Sequence, residues 1–193
     1  ASKMNDAAAC REAIAAGIDV LGENRVQEMT AKLEQGAYEG APLHFIGHLQ
    51  RNKVGKVVGR VALIQSVGSL ELLEEIQRVA AARDVVQDIL LEVNIGGEAS
   101  KSGISPEELS ALAAQAVGSP HVRLRGLMAI PPVAAGPDGS RPFFAKMRQL
   151  YVDIRSQMDD NKTSFDCLSM GMSGDFEDAV REGATLVRVG TAL

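Results

Sequence analysis

The sequence contains no tryptophan, and aromatic residues make up only 4% of it. It therefore offers no obvious platform for stacking the bases of a single-stranded nucleic acid. Acidic residues outnumber basic ones by 25 to 20, which gives a formal net charge of -5. Sequence-independent binding to nucleic acid needs basic side chains that neutralise phosphates. Both shortages argue against a nucleic-acid partner.

Long apolar runs are also missing, and none approaches the roughly 20 residues that a helix needs to cross a bilayer. No signal peptide is visible, so neither a membrane partner nor export is predicted. The chain has two cysteines, Cys10 and Cys167, which lie far apart and form no CxxC motif. Free thiols in such a chain are typical of an intracellular protein, and we expect a cytoplasmic location.

Short apolar runs alternate with longer helical stretches along the 193 residues. Strands that alternate with helices predict a parallel sheet built from βαβ units. The predicted helices cover residues 7–16, 26–33, 54–58, 70–82, 105–117, 143–158 and 176–181. The predicted strands cover residues 18–21, 43–46, 61–64, 89–95, 122–130, 165–168 and 186–189, with residues 1–3 as the tail of a further strand before them.

Eight such units predict a single domain, residues 1–193, with an α/β fold: a (β/α)8 barrel of the TIM type whose first strand is truncated. An open, doubly wound sheet is the structural alternative, because periodicity alone does not distinguish the two. Polar and glycine-rich clusters follow the predicted strands. In a barrel these positions share one face, where the βα loops converge and active sites form. The clusters are Lys3 and residues 22–24, 47–48, 96–98, 171–174 and 190–191.

Two of these clusters are typical of phosphate binding. Ser173 lies just before a predicted helix, and Gly190 and Thr191 follow the last predicted strand. In barrels a phosphate is often held by the last two βα loops and a helix N-terminus. The alternative is that Ser173 is an ordinary helix N-cap and Gly190 an ordinary turn residue.

Lys3 closes the first predicted strand. Most lone lysines are solvated surface charges. A lysine at the rim of a barrel can instead form a Schiff base, provided that its pKa is low enough to supply a neutral amine. No metal site is predicted, because His44 and His48 straddle a strand end and His121 has no partner nearby.

At these residues the chain resembles a known family, the pyridoxal phosphate homeostasis proteins, which are single-domain relatives of the N-terminal barrel of alanine racemase. The matching segments run in order over essentially the whole chain and are highly specific together, although none is so alone. They are SK at 2–3, GENRVQE at 22–28, HFIGHLQRNK at 44–53, VNI at 93–95 with KSG at 101–103, RGLMAIP at 125–131, LSMGMS at 168–173 and VRVGTA at 187–192.

The resemblance implies that the chain binds pyridoxal 5′-phosphate (PLP) as a Schiff base on Lys3. It also implies that Arg188 faces the pyridine nitrogen of the cofactor. The residues that would hold the phosphate are Ser173, Gly190 and Thr191. The residues that would line the ring are Asn24, Ile46, and Met128 or Ile130. Lys101 lies in a family segment near the same rim, and no role is implied for it.

Two features predict little catalysis. Arginine stays protonated, so Arg188 can only donate to the ring nitrogen, and the ring is then a weaker electron sink. A racemase also needs a second acid or base opposite the lysine, which in alanine racemase is a tyrosine from a separate domain. Tyr38 and Tyr151 fall instead in a predicted loop and a predicted helix.

The resemblance therefore predicts a monomeric PLP-binding protein of intracellular PLP homeostasis, with PLP-dependent apo-enzymes as partners that receive the cofactor. One alternative is a weak PLP-dependent amino-acid racemase. Another is a non-catalytic barrel that acts through protein contacts.

Overall fold

The computed structural model describes residues 1–98, 101–132, 139–158 and 165–191. Seven strands form one parallel sheet, in which each strand pairs with the next one along the chain. The strands are β1 (Leu21–Glu23), β2 (Leu43–Phe45), β3 (Leu63–Val67), β4 (Gln87–Glu92), β5 (Val122–Met128), β6 (Cys167–Met172) and β7 (Leu186–Arg188).

Helices connect these strands and pack against the sheet. A short 3-10 helix, Arg51–Lys56, lies between β2 and β3. None of the helices in the described part of the chain combines the length and the apolar character needed to span a membrane. The α-helices are α1 (Ala7–Ala15), α2 (Val26–Glu34), α3 (Leu70–Ala82), α4 (Leu109–Val117), α5 (Arg141–Gln157) and α6 (Phe176–Arg181).

Helix α3 shows how the sequence produces these elements. Ser69 caps its N-terminus, and the Ser69 hydroxyl accepts a hydrogen bond from the Leu72 backbone N–H at 3.2 Å. Apolar side chains then recur every three or four positions, so that one face of the helix is buried. The buried residues are Leu72, Leu73, Ile76, Val79 and Ala80.

The sheet has an apolar layer on each side. Ile64, Ile89 and Leu127 belong to the large core between the strands and the helices. Leu63, Leu90 and Met128 form a separate small cluster on the other side. Since side chains alternate between the two faces of a strand, this second cluster lies inside the barrel.

Strands β1 and β7 are the two ends of the sheet, and the first residues of the chain contact β1 and the residue that follows β7. The Ser2 N–H donates to the Gly22 carbonyl at 2.9 Å, and the Ala1 amino group donates to the Val189 carbonyl. The sheet is therefore a nearly closed barrel, which confirms the predicted fold class and excludes the open sheet. Residues 1–3, predicted as the tail of a further strand, are not assigned to a strand.

Several predicted boundaries are wrong because polar residues are buried within strands. β1 includes Glu23, which the sequence placed in a loop, and Glu23 is fully buried. β6 extends through Ser169 to Met172 rather than ending at Leu168.

The predicted helix start at Ser105 is also wrong. Glu108 accepts hydrogen bonds from the Ser105 N–H and hydroxyl within a turn, and α4 begins one residue after it.

Candidate functional site

Lys3 lies in a tight turn beside the end of β1. The Asn5 N–H donates to the Ser2 carbonyl at 3.2 Å, which closes the turn around Lys3 and Met4. Met4 has a positive φ of 65° and is 90% exposed. Lys3 is also exposed, so its amine is accessible from solvent.

The three predicted phosphate ligands come together in the structure. Ser173 Oγ accepts a hydrogen bond from the Gly190 backbone N–H at 3.2 Å and lies 3.3 Å from the Thr191 hydroxyl. Ser173 is not the N-cap of α6, because Asp175 occupies that position. The Asp175 carboxylate instead accepts from the Met172 N–H at 2.7 Å and shapes the loop that presents Ser173.

This cluster of Ser173, Gly190 and Thr191, called the hydroxyl cradle below, has donors suited to an anion. The Gly190 N–H and the Thr191 hydroxyl both lie within hydrogen-bond distance of Ser173 Oγ, which is partly buried where the loops after β6 and β7 meet. Helix α6 has only six residues and carries Glu177 and Asp178 in its first turn. Its N-terminus therefore adds little, and the donors of the cradle come from hydroxyls and loop backbone.

Arg188 is buried inside the barrel at the end of β7. Its guanidinium donates to Ser169 Oγ and, at 2.9 Å, to the Ala129 carbonyl. Burial lowers the pKa of Arg188 to about 10, which still leaves it charged at neutral pH. The two anchoring contacts fix the plane of the guanidinium, so its orientation inside the barrel is set by β5 and β6.

The hydrogen bonds continue from Arg188 across the barrel interior. Ser169 donates to Gln65 Oε1 at 2.7 Å, and the Gln65 amide nitrogen lies 3.0 Å from His44 Nδ1. Burial lowers the pKa of His44 to about 4, with the charge of Arg125 acting in the same direction and Asp88 opposing it. A neutral His44 can accept from the Gln65 amide, so the donors point consistently from Arg188 towards His44.

Glu92 is the acidic group associated with this region. It is buried at the end of β4, and burial raises its pKa while the charge of Arg188 opposes the rise. The negative charge of Glu92 in turn opposes the lowering of the Arg188 pKa by burial, and so favours the charged guanidinium. The interior of the barrel therefore holds opposite charges that partly offset each other.

The ring-lining residues are not all alike in the structure. Asn24 is exposed directly after β1, whereas Ile46 is 9% exposed and Met128 is fully buried. Met128 packs against Leu63 and Leu90, with Ile130 at the side of the same cluster.

Lys101 forms an ion pair with Glu98 at 2.6 Å and donates to the Pro131 carbonyl at 3.1 Å.

A cavity of about 580 Å³ opens between β1 and β7, within the size range of small-molecule sites. Among the predicted site residues, Ile46, Arg188 and Gly190 line it, together with His44 and Gln65. Lys3, Asn24, Met128, Ser173 and Thr191 do not line this cavity. Arg188 at the end of β7 and Gly190 of the hydroxyl cradle therefore line the same cavity, whereas Lys3 is exposed to solvent outside it.

Sequence reasoning missed the inner polar residues Gln65, Ser169 and Glu92. The available signal was a polar residue within or beside a strongly apolar run, as in the LIQSV of β3 and the QDILLE of β4.

Within the described ranges, no group of three or more His, Cys, Asp or Glu side chains could hold a metal ion. Cys10 and Cys167 are free cysteines.

The family model described as the N-terminal domain of alanine racemase matches residues 1–193. The chain is 44% identical over 193 residues to a pyridoxal phosphate homeostasis protein of Aquifex aeolicus, covering all of this chain and 83% of that protein. It is 42% identical over 192 residues to the protein of the same name from Pseudomonas aeruginosa, covering all of this chain and 80% of that protein.

Solved structures give the same result. PipY of Synechococcus elongatus, with PLP bound, is 37% identical and superposes with a TM-score of 0.86 over 98% of this chain and 88% of that one. An alanine racemase of Clostridium difficile superposes with a TM-score of 0.78 over 95% of this chain and 46% of that one. Its identity is only 15%, so it shows the fold alone.

Proposed function

The chain belongs to the family of the pyridoxal phosphate homeostasis proteins, and we propose that it binds PLP within one domain, residues 1–193, without substantial catalysis. The observation that carries the proposal is the arrangement at the end of β7, where Gly190 and Thr191 of the hydroxyl cradle follow the buried Arg188 and the Ala1 amino group donates to the Val189 carbonyl between them. PipY, a structural relative of this chain, has been solved with PLP bound.

Lys3 would form the covalent bond to the cofactor. The Lys3 amine would hold PLP through a Schiff base to the aldehyde carbon of the cofactor, with release of one water molecule. The exposure of Lys3 permits PLP to reach the amine from solvent. No oxidant or reductant is needed, and addition of water reverses the reaction, as expected of a protein that must also release its ligand.

The remaining predicted residues would orient PLP. The hydroxyl cradle would donate to the phosphate, because hydroxyl and backbone N–H donors bind anions without requiring a basic side chain. Arg188 would donate to the ring nitrogen, and its anchoring by Ser169 and Ala129 supports a fixed donor direction. Asn24, Ile46 and Met128 would line the ring.

The positions of both tyrosines support weak or absent catalysis. The Tyr38 hydroxyl donates to Glu23 at 2.9 Å, and the Tyr151 hydroxyl donates to the Phe165 carbonyl at 2.9 Å. Burial raises the pKa of both tyrosines above the usual value. Neither hydroxyl is therefore placed to exchange a proton with a substrate at the rim.

We also propose that the protein serves intracellular PLP homeostasis as a cytoplasmic monomer that passes PLP to PLP-dependent apo-enzymes. The names of the relatives from Aquifex aeolicus and Pseudomonas aeruginosa support this role. An exposed Lys3 supports transfer, since a recipient can approach the cofactor without the barrel opening.

The test is the visible absorbance of the protein with added PLP, before and after reduction with borohydride. We expect a Schiff-base band, and reduction should fix the cofactor to the peptide that contains Lys3. Lys3→Ala should abolish the band, whereas Lys56→Ala, which removes another exposed lysine, should retain it. If the protein shows no band, or if Lys3→Ala keeps it, the proposal is wrong.

A second assay addresses catalysis. Alanine racemisation should stay at background when the protein concentration is high and PLP is saturating. Turnover that disappears in Lys3→Ala would show that the protein is a racemase and would overturn the proposed absence of catalysis.

A further inference from the structure

A buried ionic network contacts Ser2, the residue that precedes Lys3. Glu23 is fully buried at the end of β1. Its Oε1 atom accepts hydrogen bonds from Lys32 Nζ at 2.6 Å, from the Ser2 hydroxyl at 2.7 Å and from the Tyr38 hydroxyl at 2.9 Å. These four residues, Ser2, Glu23, Lys32 and Tyr38, are called the Glu23 clamp below.

The contacts of the Glu23 clamp converge on the residue that precedes Lys3. Lys32 Nζ also donates to the Ser2 carbonyl at 2.8 Å, and the Ser2 N–H donates to the Gly22 carbonyl at 2.9 Å. The side chain, the carbonyl and the N–H of Ser2 are therefore all held. Lys3 is itself exposed, so its side chain has few contacts of its own to fix it.

The stability of the fold alone does not account for a buried ionic network of this kind. Burial of a carboxylate and an ammonium has a large desolvation cost, so a buried ion pair often stabilises a fold no more than apolar packing would. In some proteins a buried ionic group instead specifies one geometry, and we take this as the hypothesis for Glu23. The Tyr38 pKa is raised by burial and by Glu23, so its hydroxyl keeps the proton that it donates to the clamp.

We infer that the Glu23 clamp consists of positioning residues that hold the Lys3 backbone so that its amine meets the cofactor aldehyde. The inference rests on the proposed function, because it takes Lys3 as the lysine that bonds to PLP. The amine must approach one carbon of a cofactor held at its other end by the hydroxyl cradle. Reaction at a fixed carbon tolerates only small displacements of the attacking group.

The chain offers a matched pair of substitutions to test this. Tyr38→Phe and Tyr151→Phe each remove a buried hydroxyl that donates one hydrogen bond of 2.9 Å, but only Tyr38 belongs to the clamp. Ser2→Ala removes a second clamp contact. Glu23→Gln is the most severe variant and can fail to fold, so Tyr38→Phe and Ser2→Ala decide the outcome.

The readouts are the dissociation constant for PLP, the peptide labelled after borohydride reduction, and the thermal midpoint. Tyr38→Phe and Ser2→Ala should weaken PLP binding about tenfold, which is the lower end of the loss seen when a residue that supports a metal ligand is removed. They should also spread the label from Lys3 to other lysines. Tyr151→Phe should keep both the affinity and the label on Lys3, even if its thermal midpoint falls as far.

Two results would overturn the inference. If Tyr38→Phe and Ser2→Ala bind PLP as tightly as the unaltered protein and label Lys3 alone, the clamp has no positioning role while the proposed function stands. If all three variants lose affinity in proportion to their thermal midpoints, the effect is one of stability only. A failure of the proposed function looks different, because the unaltered protein would then show no band that depends on Lys3.

Discussion

The Arg188 guanidinium donates a hydrogen bond to Ser169 Oγ inside the barrel, and the Ser169 hydroxyl in turn donates a hydrogen bond to Gln65 Oε1. This contact connects the residue predicted to face the pyridine nitrogen to a chain of buried polar groups that ends at His44. The orientation of Arg188 therefore depends directly on Ser169 and Ala129, and through Ser169 on Gln65 of β3 and His44 of β2.

Ser169→Ala should destabilise the protein by about 1–3 kcal/mol, because it leaves an N–H of Arg188 and the Gln65 oxygen unsatisfied in a buried position. Ser66→Ala is the matched control. Ser66 is also a buried strand serine, but its hydroxyl has no hydrogen-bond partner in the described part of the chain. Its removal should be close to neutral. Urea denaturation of both variants gives the comparison, and equal losses would contradict the role given to Ser169.

Ser173→Ala should weaken the binding of PLP by about 10- to 150-fold and leave the binding of pyridoxal nearly unchanged. The Ser173 hydroxyl is the centre of the hydroxyl cradle, and a hydrogen bond to a charged group contributes about 1.5–3 kcal/mol. Pyridoxal has the same ring and aldehyde but no phosphate, so it separates the cradle from the rest of the site. Titration followed by absorbance measures both affinities. An equal loss for the two ligands would place Ser173 outside the phosphate site.

The hydroxyl cradle and the barrel could be predicted from sequence because both depend on local patterns. Ser173 and Thr191 follow predicted strands, and in a parallel barrel the ends of neighbouring strands must meet. The inner network could not be predicted in the same way. Ser169 and Gln65 are 104 positions apart, and a polar residue in a strand gives no sign of its partner.

The same cause explains the missed strand boundaries. Glu23 and Ser169 belong to strands although they are polar, because their partners Lys32 and Arg188 compensate them inside the protein. A pattern of apolar residues ends where such a residue begins, so the predicted strand ends early. Polar residues at strand ends therefore mark both the errors of the prediction and the residues that support the site.

The stability of the protein should fall between pH 6.5 and pH 4 through His44. Burial lowers its pKa from 6.5 to about 4, so in this range the unfolded chain binds a proton that the folded protein does not. The stabilisation is fully present above pH 6.5 and is lost as the pH falls through the folded value, a change of about 3 kcal/mol at most. Denaturation of His44→Gln across this range should show a flatter pH dependence.

His48→Gln is the control for this experiment, since it removes an exposed imidazole and leaves His44 in place. Glu92 acts with the opposite sign, because burial raises its pKa and the folded protein then gains stability as the pH falls. Glu92 is present in both proteins, so its contribution cancels when the unfolding free energy of His44→Gln is subtracted from that of the unaltered protein at each pH. Identical pH profiles for the two would show that His44 is not buried in the neutral form.

Gly47→Ala should both destabilise the protein and weaken PLP binding. A Cβ atom at Gly47 would lie 2.0 Å from the Asn24 carbonyl oxygen and 2.7 Å from Asn24 Cα, so the backbone after β1 would have to move. Overpacking of this kind costs about 1–3 kcal/mol. Because Asn24 is a predicted ring-lining residue, the same movement should raise the dissociation constant for PLP.

Gly118→Ala provides the control for Gly47→Ala. Gly118 follows α4 with a φ of -74°, and a Cβ atom there would meet only ordinary contacts of 3.5 Å or more. Alanine fits this conformation, and the loss of glycine should leave the free energy of unfolding unchanged or raise it by about 0.4–1 kcal/mol. Thermal denaturation and PLP titration of both variants complete the test. If Gly47→Ala loses stability but binds PLP normally, the contact between Asn24 and Gly47 supports the barrel rim without shaping the cofactor site.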